Sequence, residues 1–453
     1  MTCFPSDLEP PATSGYQQSS HIHQILWLVL LNRNTITSLD LAQLDLGSRR
    51  VIRDISRTIS KLCLLKILQL RLLASHGAFT PTLDPVKGEW DFYQGPLIMR
   101  NEPLIQLKRL TLPSMCTTSM SRIYFNILRQ CPSLETLEMP CISVLSDEAN
   151  RAIASIGELC PHISNLSFLL RDCSGEMVCK VADAIQEKQL RGLCWSIHEI
   201  TNTSLLTTTW TRHSTSLQRI ELLAHSTRIE SLVIKTALTT CCTLKVFKAI
   251  GSDIQSDVGL LLSHTIEHAW VCKELRELEI DISITAVGNN DMYLVDPTKA
   301  TWTAHDHRGW DELGRFYAQI GSLTHLEVLC LSAARSIRNP SEYHGLASTS
   351  ADACLSGLLA LEDFGAGQIG YLSKLAGLTK LRELRGSFGW TNKETQARIG
   401  DQEVDWFVNH LPALRMATFM CAHHNRLNGW QPVHEHLRFL QVKRPGLEIG
   451  HSF

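Results

Sequence analysis

The sequence predicts an α/β fold made from one strand–helix unit repeated along the chain, and three observations carry that prediction. First, a block of the form L-x-x-L-x-L recurs as Ile36-Leu39-Leu41, Leu65-Leu68-Leu70, Leu107-Leu110-Leu112, Leu134-Leu137-Met139, Ile163-Leu166-Phe168 and Leu190-Leu193-Trp195. It continues as Leu217-Ile220-Leu222, Leu244-Phe247-Ala249, Leu275-Leu278-Ile280, Leu326-Leu329-Leu331, Leu381-Leu384 with Gly386, and Leu414 with Phe419. Second, the middle residues Leu110, Leu137, Leu166, Leu193, Ile220 and Phe247 stand 27, 29, 27, 27 and 27 residues apart. Third, apolar residues at helical spacing fill the intervals. A period of about 20 to 29 residues with this block is that of a leucine-rich repeat. Such a repeat stacks into a solenoid with parallel strands on the concave side and helices on the convex side, here about twelve to thirteen units.

The elements follow in order. Residues 1–20 hold Pro5, Pro10 and Pro11, no Lys or Arg and no apolar core, so no secretory signal is read there and a disordered tail is expected. Ile25–Leu31 is apolar, but seven residues cannot span a bilayer. The repeat domain is expected to fill 21–453, with insertions near 74–102, 282–320 and 333–356. In every block the last two apolar residues lie two apart and share one face of a strand, which faces the core.

Between blocks, Ala149, Ala152, Ile153, Ile156 and Cys160 mark one face of a helix over Glu148–Cys160. Val178, Val181, Ala182 and Ile185 do the same for Met177–Ile185. Ser146-Asp147 and Ser256-Asp257 are N-cap candidates. The second pair is expected to open a helix whose buried stripe is Val258, Leu261, Leu262, Thr265 and Ala269. Leu44, Leu73, Met115, Ile142, His198 and His225 stand where regular arrays carry Asn or Cys, so irregular turns are expected.

Composition narrows the partners. The 453 residues are 44% hydrophobic and 19% charged with a formal net charge of -2, which gives no bulk attraction to nucleic acid or anionic membrane. The fifteen cysteines form no CxxC and are expected to be reduced, small, buried hydrophobes, the Cys241-Cys242 pair included. A soluble protein of the cytoplasm or nucleus is expected.

Several blocks follow a cysteine: Cys131-Pro132-Ser133-Leu134, Cys160-Pro161-His162-Ile163, Cys242-Thr243-Leu244 and Cys272-Lys273-Glu274-Leu275. With Ser146-Asp147 between two Cys-Pro blocks, this resembles the cysteine-containing repeats of fungal F-box/leucine-rich-repeat proteins. The resemblance covers 36–280 well and 323–420 more loosely, and Arg444-Pro445-Gly446-Leu447-Glu448-Ile449 resembles the family's terminal strand. It implies an F-box-like substrate-recognition subunit of a cullin-type ubiquitin ligase with a Skp1-like adaptor, although no F-box is recognisable ahead of the repeats. A general repeat adaptor without a ubiquitin connection is the alternative.

The residues flanking each middle leucine are expected to face outward and to meet a protein partner. They include Arg109, Glu138, Asn165, Arg219, Glu221, Glu277 and Glu279, with Glu383 and Arg385 further on. Aromatics in the insertions, Trp90, Phe92, Tyr93, Trp302 and Trp310, are candidate anchors.

Catalytic motifs are scarce. His264-Thr265-Ile266-Glu267-His268 matches the H-x-x-E-H pattern of some zinc peptidases, in which two His hold the metal and Glu is the base. On the expected helix, however, Glu267 falls opposite the buried stripe, so this remains a remote alternative. Cys421, His423, His424, His434 and His436 fit no closed four-ligand spacing, and His305 with His307 is weaker still. No G-x-S-x-G, P-loop or G-x-G-x-x-G is present, and neither cofactor nor catalysis is expected.

Overall fold

The computed structural model describes residues 15–41, 58–59, 61–69, 104–112, 128–139, 147–168, 174–197, 203–224, 231–251, 260–261, 264, 266–283, 304–333, 360–361, 370–386, 400–420 and 435–452. They fall into two compact units, one of residues 1–170 with 184–186 and one of 171–183 with 187–453.

The first unit opens with α1 (Gly15–Leu31), which begins inside the tail expected to lack order. Strands β1 (Ser38–Asp40), β2 (Ile67–Gln69), β3 (Arg109–Thr111), β4 (Thr136–Glu138) and β5 (Asn165–Phe168) follow. They pair in parallel with Leu39, Leu68, Leu110, Leu137 and Leu166 in one row. These middle leucines are fully or almost fully buried, as the block pattern requires. The single helix expected over Glu148–Cys160 is two, α2 (Asp147–Ala154) and α3 (Ile156–Leu159). Gly157 in α3 lets the Ala184 carbonyl come close, since a Cβ there would stand 2.3 Å from it.

The second unit holds β6 (Gly192–Ile197), β7 (Arg219–Ala224), β8 (Val246–Gly251), β9 (Leu260–Leu261), β10 (Glu277–Ser283), β11 (Val328–Ala333), β12 (Glu383–Gly386), β13 (Met416–Met420) and β14 (Glu448–Ser452). All pair in parallel. Leu193, Ile220, Phe247, Leu278, Leu329, Leu384, Ala417 and Ile449 form the middle row. Helices α4 (Gly175–Ala184), α5 (Thr203–His213), α6 (Ser231–Thr240), α7 (Ala304–Gly321), α8 (Asp401–His410) and α9 (Glu435–Lys443) connect them, with a 3-10 turn at Leu372–Leu375. Their buried residues, among them Val178, Trp210, Ile234, Phe316 and Phe407, form the core with the inward strand residues. Parallel strands, one per repeat and joined by helices, make this a leucine-rich-repeat solenoid.

A tight turn precedes many of the strands and explains the cysteines. The amide of the first block residue donates to the carbonyl three residues back: Leu134 to Cys131 at 3.2 Å, Ile163 to Cys160 at 3.2 Å, Leu244 to Cys241 at 3.3 Å and Leu275 to Cys272 at 3.1 Å. Leu323, Leu378 and Leu411 take the same place in later repeats, so cysteine serves there as a small hydrophobe. The buried partner ahead of β8 is Cys241, while Cys242 is exposed, which corrects the expected register of that pair. Every described cysteine is a free thiol, and burial pushes the Cys160 thiol up to about 12.

Two other expectations change. The helix expected through 258–269 gives way at Leu260–Leu261 to β9, which extends the pairing of β10 with Ile282 opposite Leu260, while His264 and Ile266 are helical. A short apolar run gives strand and helix the same appearance in sequence. Within the second expected insertion, 304–321 is α7, a regular repeat helix. The irregular turns, the first and third insertions, and both N-cap serines Ser146 and Ser256 lie outside the described residues.

Candidate functional site

Because strand side chains alternate, the residues beside each middle leucine form rows on the sheet's other face. In the second unit the register sets Arg219, Val246, Glu277, Val328 and Glu383 in one row and Glu221, Lys248, Glu279, Cys330 and Arg385 in the next. The charges in these rows are interlocked. Lys248 Nζ lies 2.7 Å from Glu279 and 3.3 Å from Glu277. Arg385 reaches across β11 to Glu279 at 3.2 Å, while its Nε stands 3.3 Å from Glu383. On β7, Arg219 pairs with Glu221 at 2.5 Å.

The electrostatics favour ionised groups. Partial burial works against a charged Lys248, but its hydrogen bonds to Glu279 and Glu277 outweigh that and raise its pKa. Glu279 is only 8% exposed, so the carboxylate is held by two cations from other repeats and not left to water. This departs from the open solvated position expected for it. Glu138 in the first unit departs likewise: it is 5% exposed and accepts a hydrogen bond from the Thr111 hydroxyl at 3.0 Å. Asn165 is half-buried and donates to Ser164 Oγ at 3.1 Å, while Arg109 is exposed.

The structure therefore brings Arg219, Glu221, Glu277 and Glu279 onto one face of the second unit. Arg109, Glu138 and Asn165 occupy the matching face of the first. Lys248, at the centre of the ion-pair row, was not among the sequence candidates. Its signal is its place directly after Phe247 in the β8 block. Trp90, Phe92, Tyr93 and Trp302 lie outside the described residues, and Trp310 is placed only as a backbone position in α7.

Sequence reasoning missed a further surface on α1. Ile22 and Leu26 are buried, whereas Ile25, Trp27, Leu28 and Leu31 are 40%, 60%, 53% and 60% exposed. Four large apolar side chains within seven helical residues make a patch that water hydrates poorly.

Two of the H-x-x-E-H side chains, His264 and Glu267, have partners outside the motif. His264 Nδ1 shares a hydrogen bond of 2.9 Å with Ser231 Oγ. Lys235 pairs with Glu267 and holds its carboxyl below the ordinary range. The His268 carbonyl accepts from Gln319 at 3.2 Å. Among the described residues, no three His, Cys, Asp or Glu side chains stand together so as to hold a metal. Cys421, His423, His424 and His434 lie outside the described residues, and His305, His307 and His436 are placed only as backbone in α7 and α9. No helix among the described residues is long and apolar enough to cross a membrane.

No protein-family model and no curated protein matches the chain. Among solved structures, yeast Rad7 in complex with Elc1 is similar with a TM-score of 0.40 at 12% identity, over 96% of this chain and 94% of that one. The leucine-rich-repeat-containing protein LegL7 from Legionella pneumophila is similar with a TM-score of 0.31 at 11% identity, over 75% of this chain and 93% of that one.

Proposed function

We propose that this chain is a protein-interaction scaffold of the cytoplasm or nucleus, with no chemistry of its own. The observation that carries this reading is the ion-pair row on β8, β10 and β12, where Lys248 and Arg385 converge on Glu279. A polar face whose side chains already hold one another loses little conformational entropy when a partner arrives. Its mixed signs select a partner by charge complementarity and disfavour a polyanion, which would meet Glu221, Glu277 and Glu383.

In its more specific form the scaffold is an F-box-like substrate-recognition subunit of a cullin-type ubiquitin ligase. Cysteine-led turns at Cys131, Cys160, Cys241 and Cys272 support that form. The exposed Ile25, Trp27, Leu28 and Leu31 of α1 offer an apolar surface on which a Skp1-like adaptor can dock. The general adaptor without a ubiquitin connection shares the same strand face.

Affinity purification of the full-length protein from its own cells, read by mass spectrometry, tests both levels. The scaffold reading expects a reproducible set of retained proteins, and the ligase form expects adaptor and cullin among them. Trp27→Asp combined with Leu31→Asp should remove adaptor and cullin while sparing the rest. Retention of nothing above background would overturn the scaffold, and retained proteins without adaptor or cullin would overturn the ligase form alone.

A further inference from the structure

The residues just ahead of β8, β10, β11, β12 and β13 form a column of their own. Backbone hydrogen bonds run along it: Arg276 to Lys245 at 2.7 Å, Glu327 to Arg276 at 2.7 Å, Arg382 to Glu327 at 2.7 Å and Arg415 to Arg382 at 2.8 Å. Adjacent strands lie about 4.8 Å apart, so these long side chains crowd along one edge of the sheet. Four of the five are basic in a chain of net charge -2, which makes the edge a marked local asymmetry.

The column ends at a pocket of about 500 Å³ that contains Arg382, Arg415, Lys443 and Arg444, flanked by Pro412 and Pro445. Each cation has a different engagement. Arg444 donates to the carbonyls of Leu411, Pro412 and Leu414 at 2.6, 2.9 and 2.6 Å, which fixes the floor of the pocket. Arg382 lies 3.3 Å from Glu327. Lys443 pairs with Asp405 and sits 4.3 Å over the Phe439 ring. Arg415 is exposed, and no carboxylate pairs with it among the described residues. Two carboxylates thus offset two of the four cations, and Arg415 stays exposed beside them.

We infer that this pocket binds an acidic segment of a protein partner, with carboxylates seated on Arg415, Arg382 and Lys443. A guanidinium presents a planar fork that fits a carboxylate in two parallel hydrogen bonds, and Arg415 has that fork uncommitted. The prolines give an apolar rim against which a peptide backbone can lie. A long nucleic-acid strand fits poorly, because Glu327 interrupts the column between Arg276 and Arg382. The inference rests on the protein-interaction reading above and adds to it the chemistry of the partner and a second place of contact.

Fluorescence anisotropy on the full-length protein tests it with three labelled probes. These are a short peptide carrying a Glu/Asp cluster, its Gln/Asn counterpart and a single-stranded oligonucleotide. The expected result is binding of the acidic peptide at least about tenfold tighter than its neutral counterpart, weakening as salt is raised. Arg415→Glu should lower that affinity about tenfold or more, whereas Lys61→Glu, the same charge change in the first unit, should leave it unchanged. Equal affinity for the two peptides, indifference to Arg415→Glu, or tighter Arg415-dependent binding of the oligonucleotide would each overturn the inference. Repeating the affinity purification with Arg415→Glu separates the two readings. Proteins retained by both forms leave the scaffold standing and remove the pocket, whereas a set lost with Arg415→Glu supports both.

Discussion

His213 shows how single residues here are fixed by the repeat around them. Its ring is fully buried on α5, and Nε2 donates to the Ala182 carbonyl at 3.2 Å, which leaves Nδ1 as a bare lone pair without a partner. Burial is the main cause that lowers its pKa below the ordinary 6.5, helped by Arg212, while the Ala182 contact and the carboxylates of Asp183 and Glu187 work the other way. A histidine neutral when folded but protonated when unfolded stabilises the fold above the unfolded pKa. That contribution is lost as pH falls from 6.5 through the lower folded value. Stability should therefore decline on acidification below 6.5, with a slope from this group of at most about 1.4 kcal/mol per pH unit. Urea midpoints measured across that range check it: His213→Gln should flatten the decline, and an unchanged slope in that variant would assign it elsewhere.

At the scale of elements, Gly386 closes β12 with φ of 119°, and a Cβ there would stand 2.0 Å from the Leu331 carbonyl of β11. Both the backbone conformation and the close approach need glycine, so Gly386→Ala should destabilise the fold by about 1–3 kcal/mol or more. A denaturant melt of the variant with an unchanged midpoint would show that β12 ends differently. The strands were legible in the sequence because L-x-x-L-x-L specifies a face and a register at once: every block is a strand, down to β13, and the stretch that resembled a terminal strand leads into β14. The helices were less so. In α5 the hydroxyls of Thr207, Thr208, Thr209 and Thr211 hydrogen-bond back to helix carbonyls, and a helix this rich in threonine has a poor intrinsic propensity and a weak apolar periodicity. For β9, the apolar run at Leu260–Leu261 fits either structure, and only its neighbour β10 decides. The outward rows were legible as positions, but not the burial of Glu138 and Glu279. That depends on which side chain of another repeat reaches over, as Arg385 does from β12.

For the whole molecule, the repeat design separates two tasks. Inward leucines, interchangeable with Ile220, Phe247 or Ala417, hold the stack. Outward positions are free to vary, so binding can evolve without refolding the core. The charge distribution follows this division, with a mixed-sign strand face and a basic edge within a chain of net charge -2. Apart from the adaptor surface on α1, a scaffold of this kind should show its contacts on strands and strand edges. Hydrogen exchange of the full-length protein, alone and with its most strongly retained partner other than the adaptor and cullin, tests this directly. Protection on binding should map to β7, β8, β10 and β12, the strands that carry Arg219, Glu221, Lys248, Glu277, Glu279 and Arg385. Protection confined to the helices, with exchange in those strands unchanged, would contradict the assignment of the strand face as the binding surface.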